Sequence, residues 1–360
     1  MTTRSTFKIL SFDGGGIRGA FAAAFVAETE KLLGRPVSDH FDLVAGTSTG
    51  ALIALALAFE LAPNKIADFY LNEGRDVFSS RNAVERRRWR DRAIFRLAIR
   101  KFSALKNNGV DLNWILAPKY DPERLRRALE RIFAATTLEK AKRRLVIPAV
   151  DLTKGQTVVF KTAHCPNMVR DRGFSAVDVA MAATAAPTYF PAATIERGSA
   201  YVDGGLWAND PALVAYVEGV RISEQCKRDV DVPFTIADIR VLSIGTGKLP
   251  FYLRPPSKAA GIMFWAPQII DLIGLVQSQG VNFQMKQLLG DRYRRLDFIV
   301  PNDSWRLDHV AVIEELLHLG RETAREQFAH IASEFLVAPG TALSPYTASY
   351  PDGAADNRSA

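Results

Sequence analysis

Short apolar runs alternate, from the N-terminus onward, with longer segments whose apolar residues recur at helical spacing. Apolar runs of about four to eight residues predict buried strands, and the periodic segments predict helices. The alternation of the first elements predicts a mostly parallel sheet covered by helices on both faces, a three-layer α/β/α fold. Strands are predicted at 7–12, 42–45, 145–151, 157–161, 200–203 and 239–247, and helices at 20–33, 51–61, 64–72, 122–133, 177–186 and 310–335.

The pattern beyond Pro250 is harder to interpret. Residues 262–276 are strongly apolar, but Pro267 and Asp271 interrupt them, so they do not form a transmembrane span. Three interpretations stay open: a buried helix, which is the default, a lid over an acyl-binding groove, or a membrane-docking patch.

The bulk composition is that of a globular protein, with 48% hydrophobic and 24% charged residues in a chain of 360. Cys165 and Cys226 are too few for a disulfide framework, and no zinc-ligand cluster is seen. The N-terminus lacks the apolar core of a signal peptide. We therefore expect a cytoplasmic protein with a single domain at 1–338. Its core motifs lie at 9–247 and a helical part at 258–338, followed by a disordered tail at 339–360.

The net charge is +7, and much of the positive excess lies between Arg86 and Lys106. Arginines at 92, 96 and 100 repeat every four residues, beside an apolar stripe formed by residues 95, 98, 99, 102 and 105. A basic amphipathic helix of this kind suits an anionic lipid surface. The alternative is a solvated helix whose apolar stripe packs on the core. We expect no nucleic-acid partner, because no binding module accompanies the charge.

The sequence Gly46-Thr-Ser48-Thr-Gly50 stands between a predicted strand and a predicted helix. This context is the one that a nucleophile elbow requires, because flanking glycines permit the sharp turn that exposes the serine. Amides in the first turn of the following helix favour negative charge near the seryl oxygen. We therefore interpret Ser48 as a nucleophile; an ordinary tight turn is the alternative.

A glycine-rich loop follows the first strand and admits two interpretations. Gly14, Gly16 and Gly19 match the dinucleotide-binding fingerprint, but the second strand lacks the acidic residue that would hold a ribose. Alternatively, amides of Gly14, Gly15 and Gly16 line an oxyanion hole beside Ser48. We favour the oxyanion hole. Arg18 could contact an anionic substrate, although a structural ion pair is its more ordinary use.

A seryl nucleophile needs a base. None of the five histidines stands on a glycine turn after a core strand, where a triad histidine is usually presented. Asp203 does, followed by Gly204 and Gly205. A carboxylate partly desolvated at a sheet edge could accept the seryl proton directly. The alternative for Asp203 is a turn residue that caps its own backbone.

The order of these motifs resembles that of the patatin-like phospholipases. The resemblance runs from about Ile9 to Gly247, and the combination of motifs is highly specific. It is carried by segments 13–19 (DGGGIRG), 46–50 (GTSTG), 185–191 (AAPTYFP), 203–205 (DGG), 209–211 (NDP) and 243–247 (SIGTG). Beyond about Pro250 the family pattern gives no guidance.

The resemblance implies a patatin-like sandwich that hydrolyses the acyl esters of membrane phospholipids through an acyl-enzyme. It implies a dyad, with Ser48 as the nucleophile and Asp203 as the base. It also implies that catalysis requires neither a metal nor another cofactor. The motif residues assigned by position are Gly14, Gly15 and Gly16 in the oxyanion hole, with Arg18, Gly19, Gly46, Gly50, Gly204 and Gly205 as supporting positions.

Within the family, the chain is similar to bacterial effectors of antiphage signalling that cyclic nucleotides switch on to degrade the host membrane. This similarity implies a phospholipid substrate, a cyclic nucleotide activator and peripheral contact with the anionic inner face of the membrane. Assembly into a homo-oligomer is left open. It is also open whether segments 86–106 and 259–276 contact the membrane, the activator or the core.

Overall fold

One eight-stranded sheet organises the protein. The computed structural model describes residues 6–62, 64–78, 118–165, 168–195, 198–225, 234–248, 269–301 and 305–343. The strands are β1 (Phe7–Phe12), β2 (Leu43–Gly46), β3 (Arg144–Asp151), β4 (Gln156–Lys161), β5 (Ala193–Thr194), β6 (Ala200–Asp203), β7 (Ile239–Ile244) and β8 (Tyr293–Leu296).

The helices cover both faces of this sheet. They are α1 (Gly19–Leu33), α2 (Thr49–Ala58), α3 (Asn64–Asn72), α4 (Gly74–Val77), α5 (Pro122–Phe133), α6 (Ala176–Thr184), α7 (Gly205–Ala208), α8 (Ala212–Gln225), α9 (Ile269–Leu289) and α10 (Ile313–Phe335). Asp121 caps α5 by accepting a 3.0 Å hydrogen bond from the Glu123 amide, and Pro122 occupies the first turn.

The central strands are parallel and buried on both faces. β1 pairs in parallel with β2 on one side and with β7 on the other, and β7 pairs in parallel with β8. Side chains alternate between two apolar clusters, because successive residues of a strand point to opposite faces. Leu10 and Phe12 face the cluster under α1, α2 and α10, whereas Ile9 faces the cluster under α8 and α9. The predicted three-layer α/β/α fold is confirmed.

The pairing of β3 brings the ends of two other strands together. β2 pairs in parallel with the first half of β3, and β6 pairs antiparallel with its second half. β4 occupies the other edge of β3. β2 and β6 therefore lie on one line and run toward each other. The turn after β2 and the turn after β6 meet, and these turns carry Ser48 and Asp203.

The structure extends the sequence-based description of the C-terminal half. Residues 269–276, whose apolar character had several interpretations, begin the 21-residue helix α9. We assigned residues 339–360 to a disordered tail, but residues 339–343 are bound to the body of the protein. The Gly340 amide donates to the Asp39 carbonyl at 2.7 Å, and the Leu343 amide donates to the Lys142 carbonyl at 2.9 Å. The basic segment 86–106 lies outside the described residues.

Two further findings concern the cysteines and the membrane. Cys165 is disulfide-bonded, and Cys226, which lies outside the described residues, is the only other cysteine in the sequence. One disulfide does not make a disulfide framework, as the sequence analysis expected. Within the described ranges, no helix has the length and apolar character needed to cross a bilayer.

Candidate active site

Ser48 occupies a strained turn between β2 and α2. Its backbone has φ 53° and ψ −124°, a conformation that costs free energy in any residue with a side chain. The neighbouring glycines are required by close packing. A Cβ on Gly46 would lie 2.1 Å from the Gly50 carbonyl oxygen, and one on Gly50 would lie 2.4 Å from the Phe12 carbonyl oxygen. The strand–turn–helix geometry of a nucleophile elbow is thus present.

The Asp203 carboxylate lies beside the Ser48 hydroxyl at the end of β6. Asp203 Oδ1 accepts a 2.8 Å hydrogen bond from the Gly205 amide. Burial raises the pKa of Asp203 to about 6, while the Ser48 hydroxyl and the Gly205 amide oppose the rise. Gly204 is needed for packing, because a Cβ there would lie 2.3 Å from the Pro148 carbonyl oxygen.

The glycine loop after β1 is fixed by hydrogen bonds at its first residue. The Gly14 amide donates to the Asn209 carbonyl at 2.9 Å. The Gly14 carbonyl accepts from Thr246 Oγ1 at 2.7 Å and from Asn209 Nδ2 at 3.4 Å. The Gly14 amide is therefore engaged, which corrects our expectation that it serves an oxyanion hole. The amides of Gly15 and Gly16 have no acceptor among the described residues.

A buried arginine holds the base of this loop. Arg295, on β8, donates to both carboxylate oxygens of Asp13, at 2.7 and 2.6 Å. It also donates to Asp210 at 3.0 Å and to Asp297 at 2.9 Å. Burial raises the pKa of Asp13 and of Asp210, the Arg295 guanidinium opposes the rise, and repulsion from the neighbouring carboxylates adds to it.

These groups border a single cavity of about 400 Å³. One part of its wall is apolar and is contributed by α2, α3, α4 and α5. Ser48, Asp203 and the glycine loop lie on the wall beside it, and no histidine is among the described lining residues. The apolar residues that line the cavity include Leu52, Phe69, Val77, Phe78, Leu125 and Phe190.

The supporting positions predicted from the sequence differ in what they do. Gly19 permits close packing of α1 on α2, because a Cβ there would lie 2.2 Å from Thr49 Oγ1. Arg18 lines the cavity, and within the described part of the chain it forms no ion pair, which contradicts the structural ion pair that we expected.

The sequence analysis missed Arg295 and Asp297, because β8 is short and an arginine on a strand ordinarily indicates a solvent-exposed position.

The histidines do not take the place of Asp203. His164 is buried and binds Thr162 at 2.9 Å and Glu218 at 3.0 Å, away from the cavity lining. Glu218 also binds Lys161. Burial lowers the pKa of His164, so the ring is neutral and structural at neutral pH.

An α/β/α sandwich with a serine elbow and a facing glycine loop is typical of α/β acyl hydrolases. Comparison with known proteins narrows this class to one family. A family model described as patatin-like phospholipase matches residues 10–216. A cGAMP-activated phospholipase from Pseudomonas aeruginosa is 34% identical over 298 residues, 82% of this chain and 80% of the relative. A cGAMP-activated phospholipase from Escherichia coli is 30% identical over 348 residues, 89% of this chain and 90% of the relative.

Among solved structures, VipD from Legionella pneumophila matches at 12% identity and a TM-score of 0.37, over 88% of this chain and 67% of its own. The family match spans the glycine loop and the serine elbow. The chain belongs to the patatin-like phospholipase family and is an enzyme of that family. The dinucleotide-binding alternative finds no support.

Replacing Arg295 should destabilise the protein strongly. Arg295→Met leaves Asp13, Asp210 and Asp297 buried without their shared cation, a change expected to cost about 3–5 kcal/mol. Arg294→Met is the matched control, because Arg294 precedes it on β8 and pairs with Glu334 at a side-chain exposure of 33%. This control should cost less than about 1 kcal/mol. Urea unfolding of both variants measures the difference, and equal losses would contradict the role of the buried cluster.

Proposed function

We propose that the cavity hydrolyses fatty acyl esters of membrane phospholipids through a Ser48–Asp203 dyad. The observation that carries the proposal is that the Ser48 hydroxyl and the buried Asp203 carboxylate line one cavity together with the glycine loop, with the hydroxyl acting on the carboxylate. Ser48 attacks the ester carbonyl as Asp203 takes its proton. Asp203 then gives this proton to the leaving oxygen, so the lysolipid departs as an alcohol, the acyl group stays on Ser48 and Asp203 is again ionised. A water molecule activated by Asp203 then releases the fatty acid.

We infer that the oxyanion is held by the amides of Gly15 and Gly16. The Gly14 carbonyl is fixed by Thr246 and Asn209, and the next amide of a planar trans peptide points the opposite way. The two free amides lie on the cavity wall with Ser48. Donors held in position before the reaction stabilise the developing charge without reorganisation. The apolar wall accommodates the acyl chain.

Removal of either dyad member should abolish turnover. Ser48→Ala and Asp203→Asn should each lower kcat for a soluble p-nitrophenyl ester by at least about 10³-fold, because nucleophile and base act as a unit. A fluorophosphonate should label the wild-type protein and not Ser48→Ala. Ser223→Ala, a serine of α8 outside the cavity lining, is the control and should keep full activity and labelling. Labelling at a residue other than Ser48 would refute the assignment.

The pH dependence follows from the pKa of Asp203, about 6 in the free enzyme. Asp203 accepts a proton only when it is ionised, so kcat/KM should rise with pH and be half-maximal near pH 6. The measurement is kcat/KM for the soluble ester between about pH 4.5 and 8, within the range where the fold is stable. A half-maximum near pH 4, the range of an exposed aspartate, would contradict the desolvated base.

We also infer that α9 contacts the membrane. One side of α9 lines the cavity through Gly274, Leu275 and Ser278. The other presents Ile269, Val276 and Phe283, with 53% of Val276 and 65% of Phe283 exposed. Residues seven apart lie on nearly the same side of a helix, so the three form one stripe. An apolar stripe on a helix that borders the cavity suits peripheral docking onto lipid.

Charged substitutions in the stripe should weaken membrane binding. Val276→Asp and Phe283→Asp should each lower partitioning onto anionic vesicles by about tenfold or more, because a carboxylate replaces apolar surface that enters the interface. Val217→Asp is the matched control, since Val217 is a helical valine on α8 with 58% exposure. Vesicle cosedimentation in the Ser48→Ala background separates binding from hydrolysis. Equal loss in the control would exclude a specific docking face.

Activation by a cyclic nucleotide is the regulatory part of the proposal, and a role in antiphage defence follows from it. Two relatives that the chain covers almost fully are named cGAMP-activated phospholipases. Release of fatty acid from mixed phospholipid vesicles should rise at least about tenfold with cGAMP, relative to an equimolar mixture of AMP and GMP. A panel of cyclic di- and trinucleotides tests selectivity. Equal rates with and without every member of the panel would refute activation.

A further inference from the structure

The cavity lining holds two charged side chains with unpartnered polar atoms. Arg18 is only 7% exposed, yet its Nε and Nη1 atoms have no hydrogen-bond partner among the described residues. Asp271, in the first turn of α9, has a buried Oδ1 atom that likewise has no hydrogen-bond partner among the described residues. Both residues line the cavity. Buried polar groups are nearly always paired, so two orphans in one cavity indicate a ligand that this protein binds.

The two charged side chains line the same cavity without forming an ion pair. Asp271 is the foremost charge acting on Arg18, and Arg18 is the foremost charge acting on Asp271. Nevertheless, no nitrogen–oxygen distance of 4.0 Å or less joins them in the described part of the chain. A buried arginine and aspartate that had no other partner would gain by direct contact. Their separation leaves room for polar atoms between them.

The surrounding charges do not satisfy this pair. Asp308 is bound by Lys119 and by the Tyr120 hydroxyl, the latter at 2.7 Å, so it is already neutralised. Arg306 interacts with Asp271 but is exposed to solvent. Asn282, about three turns along α9 from Asp271, adds a third orphan, its buried Oδ1 acceptor. Unpartnered polar atoms of one cationic side chain and two acceptor side chains therefore line the cavity.

We propose that Arg18 and Asp271 form a headgroup subsite for a phospholipid that carries a primary ammonium group. The phosphodiester binds Arg18, and the ammonium group donates hydrogen bonds to Asp271. A guanidinium is well suited to phosphate oxygens, and a charge-assisted hydrogen bond to a carboxylate is among the strongest available. A headgroup with only negative charge would leave Asp271 unpaired and repelled. A quaternary ammonium has no N–H to donate to its Oδ1 atom. The subsite rests on the phospholipase function proposed above.

The test compares headgroups on matched acyl chains. Phosphatidylethanolamine, phosphatidylcholine and phosphatidylglycerol are each presented as short-chain, soluble lipids, and kcat/KM is divided by the value for a soluble headgroup-free ester. Wild-type protein should prefer phosphatidylethanolamine. Asp271→Asn should lower its preference over phosphatidylglycerol about tenfold, and Asp271→Glu, which keeps the charge, should restore most of it. Asp291→Asn is the matched control, because Asp291 lies in the exposed turn after α9 and should leave the ratio unchanged.

A binding measurement keeps this test separate from catalysis. Calorimetric titration of the Ser48→Ala protein with the same three lipids should give the same order of affinities, and adding Asp271→Asn should remove the advantage of phosphatidylethanolamine. Loss of all ester hydrolysis in the wild type would refute the proposed function while leaving this titration decisive. An unchanged ratio in Asp271→Asn, an equal change in Asp291→Asn, or equal binding of phosphatidylcholine would overturn the subsite.

Discussion

β2 and β6 both pair with β3 along the same edge, and this arrangement is the constraint on which the site depends. β2 stops after pairing with the first half of β3, and β6 arrives from the opposite direction on the second half. Backbone hydrogen bonds fix both registers, and a slip of one residue would turn each strand's side chains to the other face. The distance between the two turns is therefore set by the ladder. Residues 155 positions apart meet without any flexible connection between them.

The buried arginine extends this rigidity to the glycine loop. Arg295 joins Asp13 before the loop, Asp210 before α8 and Asp297 after β8. An arrangement of this kind adds little net stability, since desolvation offsets the Coulombic attraction, but it is satisfied in only one geometry. Thr246 and Asn209 then orient the Gly14 peptide. The oxyanion donors that we propose thus depend on Thr246, Asn209 and the Arg295 cluster as well as on the glycines.

The sequence was enough to identify functional residues whose neighbours in the chain form a recognisable local motif. Ser48 could be predicted because its two glycines, its strand and its helix are adjacent in the chain. Asp203 could be proposed because it stands on a glycine turn after a strand, whereas none of the five histidines does. The engaged Gly14 amide and the Arg295 cluster could not be predicted, because they depend on register across β1, β7 and β8. Helix α9 was ambiguous because one of its sides is exposed and apolar while the other lines the cavity.

A single carboxylate can serve as the base that we propose because the protein controls its solvation. Burial raises the pKa of Asp203 from 3.8 to about 6, which corresponds to roughly 3 kcal/mol of added proton affinity. Without the Ser48 hydroxyl and the Gly205 amide, burial alone would raise the pKa further and favour the protonated acid. With full exposure, the carboxylate would be a weaker base. The two donors therefore keep Asp203 ionised and basic at once, which is the balance that a histidine provides in a triad.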